Sequence, residues 1–482
     1  KTFEDQRIPV GANPVFDPDC LDRANTRFAP TDLNIRDCLD NVLRLVSVGS
    51  KRFLTNKVDR AVSGLIAQQQ CCGPLQLTVA DVAVVAQSHF GLTGGATAIG
   101  EQPIKMLVNP AAGARMAVGE AWTNLVWAKI DDPEQVKCSA NWMWAPKLAG
   151  EGAAMNDAAR AMRDAMIATG MAVDGGKDSL SMATMVGEET VKSPRQLVIS
   201  AYGAMSDIHK TITPDIKELG SALLFLNLTP GKTRLGGTAL AQTLGSLGNE
   251  SPDMDDPALL RRAFAAVQEL IDQDLILAGH DRSDGGLITT LLEMVFAGNC
   301  GLDLAMQGQV EAIPTLFNEE LGLVLECRQG DIDHIRHLLD KAEVPNTLLG
   351  NTTAAQQIHI RYNGQPVLNE DMRVLRQEWE ETSYQLERLQ MNPACADAEK
   401  ESIYDRKTPA YNLPFTPEPA PKDLLTATNK PKVAILRDEG SNSDREMSSA
   451  FYAAGFEPWD ITMTDLLAGR IELEGFRGIA AK

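Results

Sequence analysis

Hydrophobic and polar residues follow two periods along this chain, and together these periods predict a mixture of strands and helices. Short apolar or alternating runs bounded by turn residues predict strands, whereas apolar residues three or four positions apart predict helices. The clearest helix covers 109–130, where Asn109 is the expected N-cap and Pro110 occupies the first turn. The predicted strands include 75–85, 196–205, 222–228, 321–327 and 358–362.

These elements group into five segments, and their order indicates an α/β (α+β) fold without the regular βαβ repeat of a Rossmann sheet. The segment 407–423 carries five prolines in 17 residues and is typical of an extended spacer. The last segment predicts strand, helix and strand, and ends in mid-strand. The predicted segments are an extended leader (1–40), an N-terminal lobe (41–214), a C-terminal lobe (215–362), a connector (363–430) and the start of a third unit (431–482).

Composition excludes several classes of protein. The chain has 45 basic and 65 acidic residues, a formal net charge of −20, which argues against nucleic-acid binding. No apolar run reaches membrane-spanning length, and the first residues lack the organisation of a signal peptide. The eight cysteines contain no CxxC, so we expect reduced thiols and a cytoplasmic location. His334 and His337 lie on one predicted helix and are expected at the surface.

The stretch HDRSDGGLITTLLEMVFAG (280–298) places polar residues between a predicted buried strand and a well-formed helix. Leu287, Leu291 and Met294 repeat at helical spacing, and Gly298 is a good helix stop. A strand-to-helix turn rich in carboxylates contributes little to folding stability. It is suited to holding a metal ion or a phosphate group.

Other oxygen donors occur in the N-terminal lobe. Glu120 and Asn124 lie four residues apart on the predicted helix, and both can ligate a hard cation such as Mg²⁺. Asp81 lies among valines, where a buried carboxylate needs a cation or a hydrogen-bond network. Each residue also has a simpler interpretation: a solvated helix face for Glu120 and Asn124, and a turn-capping role for Asp81.

Four Gly-Gly segments add candidate anion loops, because glycine permits close backbone approach to a phosphate. TPGKT (229–233) is not a P-loop, because the required first glycine would fall at Leu226. Lys51 could contact a phosphate, although an exposed lysine is the simpler interpretation. A cation site between the two lobes would gather Asp81, Glu120, Asn124 and Asp281, with Ser283 and Lys51 near the phosphates.

Several segments resemble the formylglycinamide ribonucleotide amidotransferase family, also called phosphoribosylformylglycinamidine synthases, in the large single-chain form. The resemblance covers nearly the whole chain. It includes the second synthetase half and, in KVAILRDEGSNSDREMSSAFYAAGF, the start of the glutaminase domain. The segments are TVADVAVV, TAIGEQP, AVGEAWTN, SANWMW, GGKDSLSM, HDRSDGGL and LFNEELG.

The resemblance implies a two-lobe fold like aminoimidazole ribonucleotide synthetase, followed by the truncated start of a class I, flavodoxin-like glutamine amidotransferase domain. It implies Mg²⁺ and ATP or ADP as cofactors, with Ala80 (through its backbone), Ser283 and Lys51 contacting the nucleotide. Asp284 and the two glycines after it would shape the turn. The implied metal ligands are Asp81, Glu120, Asn124 and Asp281.

The activity implied by the resemblance is that of a ligase of de novo purine (IMP) biosynthesis. It converts formylglycinamide ribonucleotide, with ATP and glutamine, to the formylglycinamidine ribonucleotide. The family's first synthetase half would be the pseudo-dimer partner, and the glutaminase nucleophile would follow Lys482, so we expect no activity from this chain alone. The alternative is a structural Mg-nucleotide scaffold. A selenophosphate synthetase or hydrogenase-maturation relative is disfavoured by the glutaminase start.

Overall fold

A computed structural model of the chain describes residues 33–55, 58, 60, 63–408, 410–416, 418–438 and 440–481. These residues form two compact units. The larger contains most described residues up to 408, and the smaller contains 410–481 together with the short segments 63–66 and 86–92. Most of the predicted leader, residues 1–32, lies outside the described residues.

The N-terminal lobe (residues 66–205) is built on a six-stranded sheet in the order β1-β4-β5-β10-β6-β7. The central strand β10 pairs antiparallel with both β5 and β6. The strands are β1 Ile66–Gln68, β2 Cys71–Cys72, β3 Leu77–Thr78, β4 Val82–Ala86, β5 Gly94–Glu101, β6 Lys137–Met143, β7 Ala172–Ser179, β8 Ala183–Val186, β9 Glu189–Lys192 and β10 Gln196–Met205.

Helices cover one face of this sheet, where small and apolar side chains bury their surface. Asn109 caps the long helix by accepting from two N–H groups of its first turn, as predicted. At Gly100, an added Cβ would lie 2.1 Å from the carbonyl oxygen of Ala117, so only glycine lets this helix approach β5 so closely. The helices up to this point are α1 Ile35–Leu43, α2 Arg52–Thr55, α3 Pro103–Val108, α4 Pro110–Leu125 and α5 Glu151–Thr169.

The C-terminal lobe (residues 222–371) contains a seven-stranded sheet in the order β12-β14-β11-β15-β13-β16-β17. Most of its strand pairs are antiparallel, and β13 with β16 is parallel. The strands are β11 Ala222–Asn227, β12 Ala278–Asp281, β13 Gly301–Met306, β14 Gly322–Cys327, β15 Asn346–Thr353, β16 Gln357–Tyr362 and β17 Gln365–Asp371.

One of the long helices of this region, α11, follows β17 and packs into the core of the larger unit through Leu375 and Trp379. Its buried face recurs every three or four residues, as expected for an amphipathic helix. The helices are α6 Ala239–Thr243, α7 Pro257–Asp272, α8 Gly286–Gly298, α9 Ala312–Phe317, α10 Ile332–Lys341, α11 Met372–Gln390 and α12 Pro393–Ser402.

The smaller unit contains a three-stranded parallel sheet in the order β19-β18-β20. Parallel strands joined by a helix form the strand–helix–strand unit predicted for this part of the chain. Its elements are α13 Lys422–Thr426, β18 Lys432–Arg437, α14 Asp444–Ala453, β19 Glu457–Thr462, α15 Met463–Leu467 and β20 Gly478–Ala481.

Several predicted boundaries were wrong. The predicted strand 75–85 is two strands, β3 and β4, and Asp81 precedes β4 instead of lying within a strand. Residues 35–40 of the leader are helical, and the predicted connector begins with β17 of the C-terminal sheet. The helix predicted for 109–130 ends at Leu125. Local patterns predicted the elements but not their ends, because tertiary hydrogen bonds decide where regular structure stops.

Candidate functional site

Strand β12 ends at Asp281, whose backbone N–H donates to Oδ2 of Asp81 over 3.2 Å. The side chains of both aspartates are almost completely buried. One ligand atom from each of Asp81, His280 and Asp281 lies within 4.8 Å of the other two, a spacing at which one cation could contact all three. The fold therefore brings together two of the four predicted metal ligands.

The turn after β12 has the backbone conformation that the Gly-Gly pair predicted. Gly285 and Gly286 have φ of +87° and +76°, which side-chain-bearing residues rarely adopt. A Cβ at Gly286 would lie 2.6 Å from the backbone carbon of Phe317. The turn carries Ser283, which lines the same cavity as the two aspartates, and Asp284, which lies 3.7 Å from the buried amine of Lys105.

Helix α4 supplies the other two predicted ligands. The Nδ2 of Asn124 donates to the carbonyl of Ile99 over 2.8 Å, which fixes the orientation of the amide. Glu120 lies outside the cluster of Asp81 and Asp281, and its Oε2 accepts the N–H of Glu101 over 2.6 Å. Thr123 lies between them: its hydroxyl is 3.1 Å from the carbonyl of Glu120 and 3.3 Å from Oδ2 of Asp281.

A cavity of about 470 Å³ opens onto the aspartates. Glu120 is absent from the residues that line it, and the backbone N–H of Ala80 is engaged by the carbonyl of Gln70. The Nζ of Lys51 donates to the carbonyls of Ser47 and Gly49. Six of the seven predicted site residues line this cavity: Lys51, Ala80, Asp81, Asn124, Asp281 and Ser283.

Burial of several carboxylates makes this a region of unfavourable negative charge. Desolvation and the nearby Asp81 raise the pKa of Asp281 to about 8. Desolvation, together with Asp281, raises the pKa of Glu120 well above its ordinary value. Desolvation also lowers the pKa of the Lys51 amine. A bound cation would relieve this repulsion, and the oxygen donors suit a hard cation such as Mg²⁺.

Sequence reasoning missed His280 and Glu293 as members of the site. The Nδ1 of His280 lies 2.8 Å from Oδ1 of Asp81, and its Nε2 lies 3.1 Å from Oε2 of Glu293. Burial disfavours the imidazolium, but Asp81 and Glu293 outweigh burial and raise the pKa of His280 well above its usual value. The available signal was a polar residue, His280, in a predicted buried strand directly before Asp281.

A second buried polar cluster lies behind the Gly-Gly turn and was also missed. Lys105 is 1% exposed, and its Nζ lies 2.6 Å from Oε2 of Glu319 and also donates to Gln102. The other carboxylate oxygen of Glu319 accepts the N–H groups of Gly285 and Ala239, each over 2.7 Å. Glu319 therefore joins α3 to the turn that carries Ser283.

Other sequence predictions concern the surface and the thiols. His334 and His337 are exposed on α10, as expected. The described cysteines are unpaired thiols. Among the described residues, no helix is long and apolar enough to cross a bilayer.

Family comparisons agree with this architecture. Residues 50–204 match an FGAR-AT PurM N-like domain, and 220–363 match the C-terminal domain of AIR synthase related proteins. Residues 430–482 match a CobB/CobQ-like glutamine amidotransferase domain. The chain thus has an AIR synthase-related two-domain fold followed by part of a glutamine amidotransferase domain.

Two curated relatives specify the family further. The chain is 53% identical over 483 residues to a probable phosphoribosylformylglycinamidine synthase, chloroplastic/mitochondrial, of Arabidopsis thaliana, with 99% of this chain and 33% of that protein covered. It is 53% identical over 457 residues to the Homo sapiens phosphoribosylformylglycinamidine synthase, with 94% and 34% covered. The chain therefore corresponds to a segment of the phosphoribosylformylglycinamidine synthase family and spans about a third of these relatives' length.

Solved structures show the same fold at low sequence identity. Thermotoga maritima PurL complexed with FGAR matches with a TM-score of 0.54 and 13% identity, covering 75% of this chain and 56% of that one. T. maritima PurL complexed with AMPPCP matches with a TM-score of 0.50 and 12% identity, covering 74% and 54%. The two-lobe fold predicted from the resemblance is thereby confirmed.

Proposed function

We propose that this chain provides a magnesium–nucleotide site within a phosphoribosylformylglycinamidine synthase. The complete enzyme would use ATP and glutamine to convert formylglycinamide ribonucleotide to formylglycinamidine ribonucleotide in de novo purine (IMP) biosynthesis. Support comes from the curated relatives and from the T. maritima PurL structures, which are complexes with FGAR and with AMPPCP.

The convergence of distant residues on one cavity carries this proposal. Asp81 and Asn124 come from the N-terminal lobe, whereas Asp281 and Ser283 come from the C-terminal lobe. A volume of about 470 Å³ is within the range of small-ligand cavities. Carboxylate and amide oxygens together with a lysine amine are the donors expected around a hard cation and an anionic phosphate.

The residues present fit a divalent cation. Asp81, Asn124 and Asp281, which line the cavity, would hold it, and Glu120 remains a proposed ligand although it does not line the cavity. When bound, the cation would neutralise charge on phosphate oxygens. A hydrogen bond within the chain holds Asp281 in place. The hydroxyl of Thr290 donates to the carbonyl of Asp281 over 3.0 Å and so connects the end of β12 to α8.

The phosphate side of the site would be formed by Lys51, Ser283 and backbone groups near Ala80. The low-dielectric surroundings strengthen each of these contacts, because buried charges are poorly screened. An amide oxygen becomes a good leaving group once it is phosphorylated. Because phosphoryl transfer depends mainly on the position of the nucleotide, the contribution that this geometry supports is to hold the nucleotide in place.

Binding of Mn²⁺ and of Mn²⁺ with ADP to the 482-residue chain tests the proposal, with free Mn²⁺ measured by electron paramagnetic resonance. Asp281→Asn should weaken Mn²⁺ affinity at least tenfold, because it removes a charged ligand. Asp274→Asn is the matched control, since the Asp274 side chain is 80% exposed. Equal Mn²⁺ affinity in the wild type and Asp281→Asn would contradict the proposed site.

The alternative is that the nucleotide has a structural role and stabilises the fold. The burial of the site is compatible with this role, since Asp281 is 2% exposed and His280 is 5% exposed. Asp281→Asn in the intact enzyme separates the two roles. Lower thermal stability with normal turnover per folded molecule indicates a scaffold. Lower turnover at unchanged stability indicates a catalytic nucleotide.

The partner proposed for this chain is the first synthetase half of the complete enzyme. The N-terminal sheet leaves apolar side chains exposed on β4, β5 and β7, which would bury their surface against a similar lobe. Val85→Asp should abolish association of this chain with a separately expressed first half, as measured by analytical ultracentrifugation. A cytoplasmic location remains part of the proposal. The exposed apolar residues are Val85, Ile99 and Val173.

A further inference from the structure

Trp379 on α11 is buried and makes polar contacts that packing alone does not require. It is 1% exposed, and its indole N–H donates to the carbonyl of Val48 over 3.0 Å and to Oε1 of Glu293 over 3.2 Å. Its ring lies 5.7 Å from that of Phe296, centroid to centroid. A phenylalanine would fill most of the same space without the indole donor.

The contact with Glu293 connects Trp379 to Asp81 through His280. Oε2 of Glu293 lies 3.1 Å from Nε2 of His280, whose Nδ1 lies 2.8 Å from Oδ1 of Asp81. Four side chains thus form a continuous polar chain from α11 to Asp81. Partners of this kind fix the orientation of metal ligands, and their loss typically weakens metal binding.

The same helix anchors the segment that carries Lys51. The N–H of Ser50 donates to the backbone carbonyl of Trp379 over 2.9 Å, and the N–H of Phe53 donates to Oγ of Ser383 over 2.8 Å. Arg52, which is 4% exposed, forms ion pairs with two glutamates of α11 at 3.1 Å. Helix α11 therefore holds one wall of the cavity on both sides of Lys51.

We propose that Trp379 is a positioning residue of the cation–nucleotide site. Its indole N–H holds Glu293, and through Glu293 it sets the place of His280 beside Asp81. This inference rests on the proposed function but concerns a residue outside the set of ligands. It assigns to α11, which lies beyond the matched C-terminal domain in sequence, a part in shaping the cavity.

The test replaces Trp379 with phenylalanine in the 482-residue chain and measures Mn²⁺ affinity, ADP affinity and the urea midpoint. Trp379→Phe should weaken Mn²⁺ binding by about tenfold, in the range seen for outer partners of metal ligands. Trp144→Phe is the matched control, because Trp144 is also 1% exposed and its indole donates to the carbonyl of Glu151 over 3.1 Å. The control should lower the urea midpoint and leave Mn²⁺ affinity unchanged.

A double-mutant cycle shows whether Trp379 acts through Glu293. Glu293→Met removes the acceptor while keeping side-chain length, so adding Trp379→Phe to it should weaken Mn²⁺ binding no further. If each single variant weakens Mn²⁺ binding and the double variant shows the sum of the two losses in binding free energy, the proposal is overturned. A Trp379→Phe variant that binds Mn²⁺ as the wild type does would also overturn it.

The outcomes also separate this inference from the proposed function. If the wild type binds Mn²⁺ and Asp281→Asn does not, the proposed cation site is supported. The Mn²⁺ affinity of Trp379→Phe then tests the role of Trp379 alone. If the wild type fails to bind Mn²⁺, both ideas fall together.

Discussion

The Nδ1 of His280 lies 2.8 Å from Oδ1 of Asp81, although the two residues come from different lobes. Both side chains are almost completely buried, 7% and 5% exposed. Glu293 contacts the other ring nitrogen, and the pKa of His280 is raised well above its usual value even though burial opposes the charge. A buried imidazolium therefore compensates part of the carboxylate charge at the site.

His280→Ala should destabilise the folded chain by about 3–5 kcal/mol, because it leaves the buried Asp81 and the half-buried Glu293 without their cationic partner. Urea denaturation measures the loss. His209→Ala is the control, since His209 pairs with Asp207 at 3.1 Å but its side chain is 72% exposed. A loss no larger than that of the control would contradict the buried ion pair.

Lys105 and Glu319 form a second buried pair, which holds the Gly-Gly turn. Lys105→Met should cost about 3–5 kcal/mol, because the buried carboxyl group of Glu319 would lose its cationic partner. Lys210→Met, which breaks an exposed pair with Asp274, should cost no more than about 1 kcal/mol. Chemical denaturation of both variants gives the comparison, and similar losses would show that burial does not decide the cost.

Stability should also fall in acid because of Glu151. Burial opposes its ionisation, but hydrogen bonds and ion pairs from Arg195 and Lys192 outweigh burial and lower the pKa of Glu151. A folded-state pKa below the unfolded value makes the stabilisation complete above the unfolded pKa of about 4.5, and it is lost as pH falls through the folded pKa.

Glu151→Gln should therefore flatten the acid side of the stability–pH curve while lowering stability near pH 7. Urea midpoints between pH 3 and pH 7 provide the measurement. Asp164→Asn is the control, since the Asp164 side chain is 63% exposed. An unchanged acid slope in Glu151→Gln would show that this carboxylate contributes nothing to acid unfolding.

Gly286→Ala should destabilise the chain by more than Gly187→Ala. Both glycines have positive φ, +76° and +62°, so each substitution carries the left-handed penalty of about 1–2 kcal/mol. A methyl group at Gly286 would also lie 2.6 Å from the backbone of Phe317, whereas at Gly187 it would meet open space. Thermal unfolding of the two variants should show the difference. Equal losses of stability in the two variants would mean that the backbone near Phe317 moves to accommodate the added methyl group.

Most of the local structure could be predicted from the sequence. Asn109 and Pro110 predicted the start of α4, and the alternating residues of 196–205 predicted β10 with its actual bounds. Capping and periodicity are local, so a single chain contains them in full. The residues of the turn at 281–286 were recognisable because oxygen donors and paired glycines have few purely structural uses.

The pairing of groups that are distant in the sequence depends on long-range packing. Glu293 and Trp379 carry no local signal of their connection to Asp81, and nothing near Lys105 in the sequence identifies Glu319 as its partner. The protonation and orientation of buried charges depend on partners that folding brings from other lobes. Short-range patterns therefore predicted the elements, and long-range packing determined which of the proposed ligands lie together.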